Sequence, residues 1–277
     1  MAEVKRICND IKAKESSLDA LFLSMGYIPW GGREDMPFLF TYCQTTRHYP
    51  SFQLTDLIQT QAMESTCSLH WLTTAALLFV VLLPPLKVST NNPRIVNLGG
   101  AGLETPKLLL NDLDYQEPGN YTINNVAANV ATTMSLTLCR LAEENPEVVF
   151  IFANPGLVIT NIYSHGFDGS WYMKAFITAI KPLMRIVALS EVDAGERSMY
   201  LLTSARFGQK GGVLPLSGET SALTMMKTQS GALFSINYKL ESVHWEGVMN
   251  EEQRKDAGAM FWERAECPWT IFVRICI

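Results

Sequence analysis

The four histidines, the six cysteines and the acidic run Asn111-Asp112-Leu113-Asp114 have the side chains that build metal sites or activate nucleophiles, and their spacing argues against both uses. His48, His70, His165 and His244 stand singly, with no His-Glu-x-x-His pair and no carboxylate at ligand spacing. Cys8, Cys43, Cys67, Cys139, Cys267 and Cys276 include no Cys-x-x-Cys pair, so neither a zinc ribbon nor a compact disulfide framework is expected. Asp112 and Asp114 lack the further oxygen ligands of a calcium loop, and no metal is expected there. Asn154-Pro155-Gly156 offers more: proline fixes a turn, and glycine lets the backbone come close to whatever sits beside it.

The elements that would position such a turn follow from hydrophobic period. Val4, Ile7 and Ile11 recur at helical spacing among charged residues, predicting a surface helix over Val4–Ser16. Leu18–Ser24 is a short apolar run ending at Met25-Gly26, as expected of a central parallel strand that opens into a loop. Leu72–Leu83 is apolar all round and predicts a buried helix stopped by Pro84 and Pro85. Pro93–Leu98 reads as a strand followed by the loop Gly99-Gly100-Ala101-Gly102. Val126–Glu144 reads as a long helix with Val130, Met134, Leu138 and Leu141 on one face. Glu147–Asn154 is the next strand, Ala194–Arg206 a helix, and Val213–Leu216 a last short strand.

Alternating helix and strand is the pattern of right-handed crossover units, so the expected fold class is α/β: a Rossmann-like parallel sheet with flanking helices, one domain over residues 1–277. Two stretches resist it. Residues 36–61 have no clear period and read as an irregular insertion, and Trp262–Ile277 as an atypical apolar tail; in both, sequence foreign to the domain is as good an explanation as a loop.

Composition limits the partners. With 48% hydrophobic residues, 18% charged and a net charge of −5, the chain carries enough apolar material for a core and no basic stripe for nucleic acid. The most apolar run, Ala75–Leu86, holds two prolines and is shorter than the ~20 residues of a membrane span. Met1–Asp19 is charged and reads as an amphipathic helix, not as a secretion signal, so Asn120-Tyr121-Thr122 is expected to be an unused glycosylation sequon. A cytoplasmic protein acting on a small-molecule substrate is expected, with homo-oligomerisation left open.

Three segments, in order, resemble the short-chain dehydrogenase/reductase family, in particular its divergent fungal members associated with secondary metabolism. Leu21-Phe22-Leu23-Ser24-Met25-Gly26 resembles the family's fourth strand and its Asn-Asn-Ala-Gly segment, with Ser24 and Gly26 on the second Asn and the Gly. Pro93–Leu98 resembles the fifth strand. Pro155-Gly156-Leu157-Val158-Ile159-Thr160 resembles the Pro-Gly-x-Val-x-Thr segment after the sixth. The resemblance implies a cofactor, NADP or NAD, met by Ser24, Gly26, Pro155, Gly156 and Thr160, and a first βαβ unit missing upstream of Met1.

The resemblance also exposes departures. The family's Gly-x-x-x-Gly-x-Gly turn, which would hold a pyrophosphate on a helix N-terminus, has no counterpart in this sequence. Gly99-Gly100 falls where the family places its catalytic serine. Of the family's Tyr-x-x-x-Lys pair, Tyr121 stands at the start of a helix with Asn125 in the lysine position, and Tyr115 has Gly119. An amide supplies no cationic field, so Tyr121 would keep a phenol pKa of about 10. Three functions remain open. One is an oxidoreductase on a small carbonyl or alcohol, polyketide or terpenoid in kind, with Tyr121 and Asn125 as catalytic candidates. Another is a cofactor-independent isomerase, cyclase or dehydratase on the same fold, relying on orientation of the substrate. The last is a catalytically inactive remnant.

Overall fold

The computed structural model describes residues 2–25, 39–46, 57–62, 82–112, 115, 117–158, 179, 188–208, 221–227 and 233–260. Seven strands form one sheet in the order β3-β2-β1-β4-β5-β6-β7: β1 Ala20–Met25, β2 Leu39–Thr46, β3 Leu57–Ala62, β4 Arg94–Leu98, β5 Val149–Ala153, β6 Leu233–Ile236 and β7 Ser242–Val243. The centre, β1-β4-β5-β6, is parallel throughout. Its sequences, ALFLSM, RIVNL, VFIFA and LFSI, are nearly continuous apolar runs because both faces are covered.

The longer helices among the described residues are α1 (Ala2–Lys14), α2 (described at 82–87), α3 (Ile123–Glu144), α4 (Glu191–Thr203) and α5 (described at 251–260). One core joins Ile7 and Ile11 of α1, Leu82 and Leu86 of α2 and Met134, Leu138 and Leu141 of α3 to Leu21, Leu23, Ile95, Phe150 and Phe152 of the sheet. The other joins Leu201 and Leu202 of α4 to Phe22, Val96, Ile151 and Phe234. Alternation along each strand sends neighbouring residues to opposite cores. The mixed α/β architecture with a central parallel sheet is thus the Rossmann-like fold expected from the sequence.

Helix ends follow local chemistry. Thr122 caps α3 by accepting from the Asn125 amide at 3.2 Å, and Ser190 caps α4 by accepting from the Asp193 amide at 3.1 Å, with Glu191 and Asp193 placed favourably in the first turn. At the other end of α4, the guanidinium of Arg94, on β4, is fully buried. It donates to the carbonyls of Leu201 at 3.1 Å and Ser204 at 3.0 Å, a cation on a helix C-terminus.

Three expectations change. The aperiodic 36–61 stretch contains β2 and all but the last residue of β3, an antiparallel pair that extends the sheet from the edge of β1. Leu-Phe-Thr-Tyr-Cys-Gln-Thr-Thr is rich in aromatic and Thr residues, which suit strands without any apolar/polar alternation. Pro84 and Pro85 lie within a helical stretch, 82–87, and not after one, and the Pro85 carbonyl accepts from the Leu18 amide at 2.9 Å; residues 72–81 of the expected helix lie outside the described residues. A proline obstructs the turn before it, while its own φ suits a helix. The parallel set closes on Leu233–Ile236, a run the period analysis passed over; Val213–Leu216 and Trp262–Ile277 lie outside the described residues.

Candidate functional site

In a parallel sheet the strand ends at the carboxyl edge hold ligands, because every loop there leaves the sheet in the same direction. Here that edge carries Ser24 on β1, paired in register with Leu98 of β4, and the loops after β4, β5 and β6. Ser24 is half-buried on the same face of β1 as Phe22; Gly26 lies outside the described residues.

The loop after β4 is shaped by its glycines. Gly99 donates to the Ala153 carbonyl at 2.7 Å and passes so near the ring of Phe152 that a Cβ there would meet Cε2 at 2.5 Å. At Gly100 a Cβ would come within 3.2 Å of Ala131 Cβ, and Gly102 has φ +90°. At Gly99 and Gly102, therefore, only glycine is accommodated without strain. At Gly99, the first of the two positions where the resemblance calls for a serine, any side chain would have to displace the ring of Phe152.

The loop after β5 is an Asx-type turn. Asn154 Oδ1 accepts from the Gly156 amide at 2.9 Å, while its Nδ2 donates to the Ala101 carbonyl at 3.2 Å, fastening the two loops together. Gly156 has φ +76°, and a Cβ there would lie 3.2 Å from Tyr238 Cβ in the loop after β6. Pro155 and Gly156 are half-buried at the edge; Thr160 lies outside the described residues. The rim formed by these loops includes the exposed apolar side chains of Leu103, Leu157 and Tyr238. Arg197 of α4 holds the last loop through a 2.7 Å bond to the Tyr238 carbonyl.

Tyr121 and Asn125 lie at the start of α3. The Tyr121 ring packs edge-on against Tyr115, centroids 6.0 Å apart. Asn125 is occupied in the cap: its Nδ2 donates to the Asn120 carbonyl at 3.1 Å, and its own carbonyl accepts from Asn129 Nδ2 at 2.8 Å. Asp112 is buried, and its Oδ2 accepts from Asn120 Nδ2 at 2.8 Å and the Glu117 amide at 3.0 Å, folding the approach to α3. Asp114 lies outside the described residues. His244 Nδ1 lies 3.0 Å from the Thr224 carbonyl. Among the described residues no group of three or more His, Cys, Asp or Glu could hold a metal, and no helix is long and apolar enough to cross a membrane.

Sequence reasoning missed Glu104. It follows the glycine loop directly, and its carboxyl reaches inward: Oε2 accepts from the Gly102 amide at 2.7 Å, and Oε1 accepts from Ser135 Oγ of α3 at 2.8 Å and lies 3.5 Å from Ser235 Oγ of β6. Burial pushes this carboxyl above its ordinary range, and the hydrogen bonds offset part of that rise. Asn97, 1% exposed on β4, has an Oδ1 with no hydrogen-bond partner among the described residues. A separate cleft of about 570 Å³ lies at the opposite, amino edge, lined by Met225, Lys227, Trp245, Met249 and Arg254, away from the loops above.

These observations define a Rossmann-like α/β protein whose glycine-shaped loops are fastened together at the carboxyl edge of the sheet. No protein-family model matches the chain. It is similar to an NmrA-like family domain-containing oxidoreductase, notO, of an Aspergillus species: 26% identical over 266 residues, covering 96% of this chain and 68% of that one. It is also similar to oxidoreductase AN1596 of Emericella nidulans, 24% identical over 95% of this chain and 72% of the relative. A third relative, oxidoreductase lepF of Aspergillus flavus, is 27% identical over 73% of this chain and 56% of its own length. The chain is therefore related to fungal oxidoreductases.

Proposed function

We propose that the protein is an oxidoreductase of the short-chain dehydrogenase/reductase type, acting on a carbonyl or alcohol of a small apolar molecule with NADP or NAD. The observation that carries this reading is the joined pair of loops at the carboxyl edge, Gly99–Gly102 and Asn154–Gly156, in a chain similar to oxidoreductases along nearly all its length. The loops suit the nicotinamide end of such a cofactor by position, because they lie beyond the carboxyl ends of β4 and β5, where parallel sheets hold ligands. Bound there, the cofactor would supply or accept a hydride. The chain's own residues would position the substrate: Leu103, Leu157 and Tyr238 bury its apolar part, and Tyr121 is the proton-transfer candidate, with Ser24 and Pro155 beside the cofactor. Asn125, held in the helix cap, offers Tyr121 no cation. That same observation favours one second reading, a cofactor-independent isomerase, cyclase or dehydratase on the same site.

Turnover separates the two. Purified protein incubated with NADPH and a panel of apolar ketones should consume the reduced cofactor in equal amount to alcohol formed. Product formation without any cofactor would overturn the first reading in favour of the second.

A further inference from the structure

The loop after β4 is held from below by one carboxyl. Ser135 and Ser235 are both fully buried, on different elements, and their hydroxyls converge on Glu104 Oε1, while Oε2 takes the Gly102 amide. The chain beyond continues along α3 in the same manner: the Thr105 amide donates to Thr132 Oγ1 at 2.8 Å, and the Leu109 amide donates to Asn129 Oδ1 at 2.7 Å. Asn129 and Thr132 stand three residues apart on one face of α3, so the helix presents both polar groups to this segment. Glu104 is the charged member of this lacing, and it links the glycine loop to both α3 and the sheet. A buried carboxyl is costly to retain where an apolar side chain would pack.

We propose that Glu104 is a positioning residue of the carboxyl-edge site, fixing the Gly99–Gly102 loop between α3 and β6 in the place where a nicotinamide cofactor meets it. The inference rests on the site proposed above. Neutralising the side chain while keeping its shape leaves the three contacts satisfiable: in Glu104→Gln the amide oxygen accepts from Gly102 and the amide nitrogen donates to a serine hydroxyl. Truncation in Glu104→Ala leaves two buried hydroxyls and one amide without their acceptor.

The test uses full-length protein, NADPH as probe, and Asn145→Ala as the comparison. Asn145 is buried at the far end of α3, where its Nδ2 donates to the Leu141 carbonyl at 2.7 Å. Glu104→Ala is expected to weaken NADPH binding about tenfold and to speed amide exchange across Gly99–Glu104, and Glu104→Gln to restore both. Asn145→Ala is expected to lower the melting temperature without either change. Glu104→Ala behaving like Asn145→Ala, with lower melting temperature but unchanged NADPH affinity and loop exchange, would overturn the proposal. Should wild-type protein bind no NADPH, the function proposed above falls and the exchange arm decides alone whether Glu104 sets the loop: faster exchange in Glu104→Ala supports it, unchanged exchange overturns it.

Discussion

Gly99→Ser restores the hydroxyl that the short-chain dehydrogenase/reductase pattern places at this point, and the structure predicts that it damages the protein. The new Cβ would stand 2.5 Å from Phe152 Cε2 and 3.1 Å from Cζ, so the ring must retreat by roughly 1 Å to regain ordinary contact. Phe152 is 1% exposed and packed in the same core as Leu21, Leu23 and Phe150, where there is little space for it to go. Overpacking of this kind costs about 1–3 kcal/mol, which for a chain of this size lowers the melting temperature by roughly 2–12 °C. Denaturant unfolding of Gly99→Ser, Phe152→Leu and the double variant forms the assay. Phe152→Leu removes the ring edge that the serine strikes, so the double variant should be less destabilised than the sum of the singles, by about 0.5–3 kcal/mol. A fully stable Gly99→Ser, or strictly additive losses, would refute the claim that packing excludes a hydroxyl here.

Asn97→Leu, which replaces a buried amide whose oxygen has no partner among the described residues, should be neutral or stabilising by ~1 kcal/mol in urea unfolding. Arg94→Met should cost about 1–3 kcal/mol, because it removes a buried charge whose pKa burial depresses to about 10 but leaves the carbonyls of Leu201 and Ser204 without their donor; Arg94→Ala, which adds a void, should cost more, about 3–5 kcal/mol. Cys139, whose thiol burial pushes up to about 11 and which accepts from Trp245 Nε1 at 3.3 Å, should resist iodoacetamide at neutral pH until the protein unfolds; fast labelling of native protein at this residue would contradict its placement. For Glu104, a carboxyl raised in the folded state favours folding when protonated. Its penalty should therefore fade as pH drops through the raised folded value towards the ordinary 4.5, and the stability difference between wild type and Glu104→Gln should change over that window and level off below it.

The strands that build the site were legible because both their faces are buried, so Leu18–Ser24, Pro93–Leu98 and Glu147–Asn154 stood out as apolar runs and matched β1, β4 and β5 within two residues. The long helix was legible for the complementary reason: Met134, Leu138 and Leu141 form a stripe. β2 and β3 were not legible, since an edge pair needs no apolar period and is recognised by pairing, which is long-range. The cap role of Asn125 and the bond from Asn154 to Ala101 could not be read either, because both join backbone groups whose partners are set by the fold. Glu104 left a faint local signal, a lone acid between a glycine loop and Thr105-Pro106. Its meaning depends on Ser135 and Ser235, 31 and 131 residues away.

Amide exchange with and without NADPH tests the central claim most directly, because it asks where on the sheet the cofactor binds. Binding at the carboxyl edge should slow exchange in Gly99–Leu103 and Asn154–Val158 together, as the two loops are joined through Asn154, and leave Met225–Lys227 and Trp245–Arg254 at the amino-edge cleft unchanged. Protection confined to that cleft, or none at either loop while NADPH is bound, would contradict it.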